Sequence, residues 1–406
     1  MAIGTQPFRG KRLKEARLAR GLFRKSLADL LGVSVTAIAR YEEGHDKPLK
    51  DRSAAIAECL GFPEEFFFKR GWEEDFEPVF WRSRTTESKL AREMTEQRMK
   101  WICECFSFLE EEVDFPPLNL PELSLPDDFR LISPQMIEKA AEDIRNFWNL
   151  KAGPIPDVIL ALENAGIPVV ILEIPSDKQD GFCFYSKVLG RHFVGINSYN
   201  ISCVRVRYDA AHELAHCILH RNITNTQEND PSLNKIIAEQ ARRFAEAFLF
   251  PRDSFLYEVR DPSFDHFCDL KKKWGMSIAA MIFRANDLGL IDIAEKTALC
   301  QNLARRRWHG PLNEPFDSPA GMPFERPRML PRGVEAVLRE NILRKASVRD
   351  SLNFPARETE QILGVGNGFF DAAQIVALPT SRRTSNLRAV DLESRNVLRF
   401  PKMQRG

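Results

Sequence analysis

The stretch YDAAHELAHCILH, residues 208–220, decides how the chain is read. His212 and His216 stand four apart, with Glu213 beside the first. On an α-helix that spacing places both imidazoles on one face, where they can address one ion at about 2.0–2.1 Å. Glu213 is then placed to take a proton from a water on that ion. The bland alternative is a buried helix that carries two histidines by chance. The flanks argue against it. Leu214, Cys217, Ile218 and Leu219 make the helix mostly apolar, and burying two imidazoles and a carboxylate there is costly unless something pairs with them. Zn2+ is therefore the expected cofactor, with His212 and His216 as ligands and Glu213 as general base. His220 lies two turns beyond His212, out of reach of an ion held by the first pair, and reads as a supporting or structural residue.

A catalytic zinc takes a third protein ligand and keeps one position open for water. The next long helix, NKIIAEQARRFAEAFLFP at 234–251, offers Glu239 and Glu246, seven apart and so on nearly the same face. Each alone reads more simply as a solvated or salt-bridged helix residue.

At 406 residues the chain exceeds what one core usually holds, so two or three domains are expected. With 44% hydrophobic and 28% charged residues, its composition is that of a soluble globular protein. No apolar run approaches the roughly 20 residues of a membrane helix, and the N-terminus lacks the apolar core of a secretory signal. The eight cysteines show no paired spacing beyond CEC at 103–105, which favours a reduced, cytoplasmic setting. The net charge of +1 is uninformative, but residues 1–70 carry 14 Lys/Arg against nine Asp/Glu, an excess that suits phosphate binding.

Residues 9–70 read as short helices punctuated by Gly21, Gly32 and Gly44, with Ser34 as an N-cap. Residues 71–128 hold FEPVFWRSR, a polar helix over about 87–112 and a connector broken by Pro116, Pro117, Pro121 and Pro126. Residues 129–307 begin with two helices, pass through the strand-like runs PVVILEI, GFCFYSK and RHFVGIN, and return to helices. Residues 308–406 read as a Pro-rich linker, one or two helices within 333–354, and a tail from Asp371 without strong periodicity. The expected fold is multidomain: an all-α N-terminal bundle, an α+β domain carrying the histidine motif, and a helical C-terminal extension.

RVRYDAAHELAHCILH, followed by IIAEQARRFAEAFLFP, closely resembles the ImmA/IrrE family of metallopeptidases, with Ala241, Phe244, Ala245, Leu249 and Pro251 matching that family's second helix. The resemblance implies a zincin-like domain. LADLLGVSVTAIARYEEGHDKP separately resembles the helix-turn-helix of XRE (Cro/CI-type) regulators, and LGVGNGFF, ending at Phe370, is similar to a segment common among regulators joining the two. One position departs. Aligned on Ala241, the family's third zinc ligand, a glutamate, falls on Ala238. Glu239 is its neighbour but points about 100° away around the helix. A small register change would let Glu239 serve; Glu246 and Asp230 are poorer substitutes.

The helix-turn-helix resemblance implies a double-stranded DNA operator as partner and a homodimer reading a palindrome. Its second helix, about Ser34–Glu43, would enter the major groove. Ser34, Val35, Thr36, Ala37 and Arg40 would face DNA, Arg24 and Lys25 would contact phosphates, and Val33, Ile38 and Tyr41 would be core. Three functions follow: a DNA-binding regulator with a zinc peptidase that cleaves a partner protein such as a repressor; the same regulator with a non-proteolytic sensor or dimerisation module; or a toxin–antitoxin or phage-type repressor.

Overall fold

The computed structural model describes residues 8–83, 88–174, 179–199, 201–224, 227, 230–308, 310, 312–318 and 320–371. The chain opens with α1 (Gly10–Ala19), α2 (Arg24–Leu31), α3 (Val35–Glu42) and α4 (Lys50–Leu60). Gly32 and Gly61 end α2 and α4 at φ of 61° and 68°, a left-handed conformation that glycine takes without steric cost. Ser34 caps α3, its hydroxyl accepting from the Ala37 amide at 3.1 Å. Leu13, Ala16, Leu27, Ile38 and Ile56 fill the bundle interior, while Val33 and Tyr41 pack at its margin. A buried acid holds the helices together. Glu42 on α3 accepts from Arg17 of α1 at 2.5 Å and from Arg24 of α2 at 2.7 Å.

Next come β1 (Val79–Ser83) and the 22-residue α5 (Lys89–Glu110), close to the helix expected over 87–112. The Pro-rich connector carries no helix or strand up to a short 3-10 turn at Phe129–Leu131, as proline at that density dictates. Beyond it lie α6 (Pro134–Phe147), α7 (Val158–Asn164), β2 (Val169–Leu172), β3 (Gln179–Ser186), β4 (Arg191–Asn197), α8 (Cys203–Leu219) and α9 (Pro231–Leu249). Four shorter helices follow: α10 (Arg252–Glu258), α11 (Phe264–Trp274), α12 (Ile278–Asp287) and α13 (Ile293–Arg305). The C-terminal extension holds α14 (Met329–Arg339), α15 (Lys345–Leu352) and α16 (Ala356–Leu363).

The sheet order is β1-β3-β4-β2. The expected β3–β4 hairpin is present, and β2 lies parallel to β4. The sequence did not foresee β1, which pairs antiparallel with β3 and places Phe80 opposite Cys183. Alternation along the strands divides two cores. Phe182, Phe184 and Phe193 turn towards a cluster shared with α1, α5 and the extension. Cys183, Val194 and Ile196 turn towards a cluster shared with α6, α8 and α9. The expected architecture of an all-α bundle, an α+β region and a helical extension is therefore observed, with α16 as an added helix.

The described residues among 308–328 are irregular, as expected, yet they are anchored by buried acids. Glu314 and Asp317 both accept from Lys271 of α11, at 2.8 and 2.6 Å. Glu314 also accepts from the Ile278 and Ala279 amides at the start of α12. Glu325 binds Arg207 of α8 and accepts from the Val158 amide at 2.8 Å, capping α7. The tail beyond Asp371 lies outside the described residues. Among the described residues, no helix is long and apolar enough to cross a membrane.

Candidate functional site

The histidine motif sits in the middle of α8, whose N-cap Ser202 accepts from the Arg205 amide at 3.2 Å. Here α8 lies between the sheet and α9, so the motif is buried: His212 is 7% exposed, His216 5% and Glu213 0%. The imidazoles of His212 and His216 face one cleft of about 570 Å³ with ring centroids 5.2 Å apart. Phe80 of β1 stacks on His216 with centroids 4.5 Å apart and planes 14° from parallel. Phe80 and Trp81 both line the cleft, so the strand missed in the sequence forms part of its wall. Gly181 of β3 makes room for Glu213. A Cβ there would stand 3.1 Å from Glu213 Oε1 and 2.9 Å from the Gly195 carbonyl. On the same cleft Arg205 pairs with Asp180 and lies 3.6 Å from Asp209.

Beneath His216 runs a chain of side chains. His216 Nδ1 lies 2.9 Å from His220 Nδ1, and His220 Nε2 lies 3.0 Å from Gln240 Oε1 of α9. Gln240 Nε2 donates to the Phe129 carbonyl at 2.8 Å and the Ile132 carbonyl at 3.3 Å. Burial pushes His220 down to about 4, outweighing the opposite pull of the Gln240 bond, and keeps the ring neutral at pH 7.

The third zinc donor is where the structure departs from the motif. Ala238 lines the cleft with His212 and His216. Glu239, expected as a ligand after a register change, is not brought there, because α9 runs without a register change and turns it outward. Arg242 takes its carboxylate at 2.5 and 2.9 Å, and Arg243 approaches to 3.8 Å. The Arg242 hydrogen bonds hold that carboxyl below the usual range. Glu246 does line the cleft, bound to Arg242 at 2.6 Å, and burial pushes its carboxyl up to about 7. Among the described residues, no three of His, Cys, Asp and Glu gather as a metal requires. Two imidazoles suit zinc, but the donor set stops at two and does not fit a three-ligand catalytic centre.

On the helix-turn-helix, Lys25, Ser34, Val35, Thr36 and Arg40 are exposed and Ala37 is half-buried. The Ser34 hydroxyl is engaged as the α3 cap. Two of the expected contact residues hold acids of their own chain: Arg40 binds Asp46 at 2.5 and 3.1 Å, and Arg24 binds Glu42 and Glu43. The sequence reading missed Phe80, Trp81 and Gln240. Only His220 carried a local signal, its four-residue spacing from His216.

Residues 162–286 match the family described as the IrrE N-terminal-like domain, and residues 13–67 match the family described as Helix-turn-helix. No curated protein matches the chain. Among solved structures, the chain is 10% identical to Bacillus thuringiensis PlcR in a complex with the peptide PapR7 and DNA, covering 87% of this chain and 94% of that one. The TM-score is 0.14, too low to bear on fold or function. The two matched families fall on the α1–α4 bundle and on the region carrying the histidine cleft, so the chain joins an XRE-type helix-turn-helix DNA-binding domain to an IrrE-like domain.

Proposed function

We propose that this chain is a transcriptional regulator in which the α2–α3 pair docks on a double-stranded DNA operator and the IrrE-like domain acts as a non-proteolytic sensor. The placement of Ala238 beside His212 and His216, with Glu239 turned away onto Arg242, carries this reading. A pair of imidazoles without a third protein donor holds zinc weakly, while the cleft of about 570 Å³ is of a size to take a small ligand. On the DNA side, Val35 and Ala37 meet thymine methyls, Thr36 reaches a base edge, and Lys25 and Arg24 contact phosphates. The helix-turn-helix match supports that assignment. We place the regulator on its operator as a homodimer, because such domains read palindromes with two copies. Selection from a random duplex pool tests the DNA half: a symmetric motif should be enriched and its binding should weaken with salt. Zinc content after purification tests the other half. The reading fails if the wild-type chain retains about one zinc per chain and also cleaves a protein.

A second reading keeps proteolysis. His212 and His216 line one cleft and Glu213 follows His212 on the same helix, the residue set a zinc peptidase uses, and a partner such as a repressor would be the substrate. It predicts that His212→Ala abolishes both zinc retention and cleavage of that partner.

A further inference from the structure

We propose that Gln240 and His220 are positioning residues that fix the tautomer of His216, leaving its Nε2 as the lone-pair nitrogen of the cleft. The donors along this chain of side chains fix the direction of each hydrogen bond. Gln240 Nε2 faces two carbonyl oxygens, those of Phe129 at 2.8 Å and Ile132 at 3.3 Å. Carbonyl oxygens only accept, so the amide nitrogen must stand there and Oε1 must face His220. Oε1 also only accepts, and His220 Nε2 is 3.0 Å away, so that nitrogen carries the proton. A neutral imidazole has one N–H, and His220, fully buried, packs against Phe80, Phe129, His216 and Gln240 without an acid among those contacts. Its Nδ1 is therefore an acceptor. His216 Nδ1, 2.9 Å away, must donate to it. The neutral His216 ring then has its proton on Nδ1 and its lone pair on Nε2.

The links come from three parts of the fold: the two carbonyls from the turn before α6, Gln240 from α9, and the histidines from α8 with its C-cap His220. Phe80 covers the His216 ring at 4.5 Å and holds its plane. The same relay would serve a metal, a proton donor on a bound ligand or a polarised water, since each needs a lone pair at Nε2. The His216 tautomer is the same whether the cleft senses or cleaves, and it can be read without DNA, metal or a substrate.

Long-range nitrogen–proton correlation spectra of the full chain, labelled with 15N at its histidine rings, read the tautomer directly. The His216 signal is identified by its loss in His216→Gln. At pH 7 the wild-type His216 ring should show a protonated Nδ1 and a bare Nε2, and His220 the reverse. Gln240→Leu removes the acceptor at the end of the relay and should move both rings towards averaged tautomers. Gln240→Glu keeps an acceptor for His220 Nε2 and should preserve the wild-type pattern. Should a variant fail to fold, as circular dichroism would show, the wild-type spectrum still decides the arrangement. A proton on His216 Nε2 in the wild type would overturn the proposal, as would His216 nitrogen shifts unchanged by Gln240→Leu in a folded chain.

Discussion

At the residue scale the protein turns on position 238. Ala238 lines the cleft beside two imidazoles that the four-residue spacing of α8 brings together. Ala238→Glu would place a carboxylate in that wall, and zinc retained through purification should rise from well under one to about one per chain. Unchanged zinc content in the folded variant would mean that this position does not face the point both histidines address. Arg40 gives a second residue-scale test. Its pairing with Asp46 at 2.5 Å must be exchanged for DNA if Arg40 reaches guanine or phosphate. Arg40→Ala should then weaken operator binding. Asp46→Asn, which releases the guanidinium, should tighten binding in a gel-shift titration. Equal affinities for all three proteins would remove Arg40 from the interface. The two histidines were legible in the sequence because helical spacing is local: four residues apart is one face whatever surrounds it. Ala238 was legible only through the family resemblance, whose third ligand falls at that position. The outward turn of Glu239 was half legible, as an angle about the helix. Its partners and the Gln240–His220 contact were not, because they depend on neighbouring side chains and on how α9 packs against α8.

At the element scale the helix-turn-helix depends on one acid. Glu42 is fully buried as a side chain and binds Arg17 and Arg24, which anchor α1 and α2 to α3. Removing one member of a buried ion pair leaves the other uncompensated. Glu42→Ala should destabilise the chain by about 3–5 kcal/mol in urea denaturation, whereas loss of the Ser34 cap in Ser34→Ala should cost about 1 kcal/mol. A cost for Glu42→Ala no larger than that for Ser34→Ala would mean the network does not hold the bundle. The helices of the bundle were readable from their glycine stops and the Ser34 cap. The acid at their centre was not, since a sequence gives Glu42 the look of a solvated residue. β1 was illegible for a related reason. Five residues after Pro78 carry little periodicity, and what makes them a strand is the backbone of β3, about a hundred positions away. The segment 308–328 was legible as irregular but not as anchored, because Lys271 and Arg207, the partners of its acids, are distant in sequence.

At the scale of the whole molecule, three buried carboxyls set a pH dependence. Glu15 in α1, Glu163 in α7 and Glu246 in α9 are each pushed by burial from 4.5 to about 7. Attractive partners do not cancel that push: Arg12 for Glu15, the Met329 and Arg328 amides for Glu163, and Arg242 for Glu246. Between pH 4.5 and about 7 the folded chain therefore holds protons that the unfolded chain has released. These three carboxyls make stability fall as pH rises through that window, offset in part by His220, which burial lowers from 6.5 to about 4 and which only the unfolded chain protonates between those values. Carboxyls shifted the other way, such as Asp46, Asp128 and Asp230, lie at the surface, and whatever they contribute is lost only at more acid pH. Urea denaturation at pH 5, 6 and 7 should thus show a midpoint that decreases at each step. Glu246→Gln, which cannot ionise, should flatten the decline by the share that one group contributes. Because α1, α5 and the C-terminal extension pack on one face of the sheet and α8 and α9 on the other, the three carboxyls are expected to titrate within one unfolding unit. Denaturation followed by tryptophan fluorescence and by circular dichroism should give the same midpoint at each pH. A midpoint that rises from pH 5 to 7 would show that the acids are charged and paired in the folded chain, and separate midpoints would show that the bundle and the sheet unfold independently.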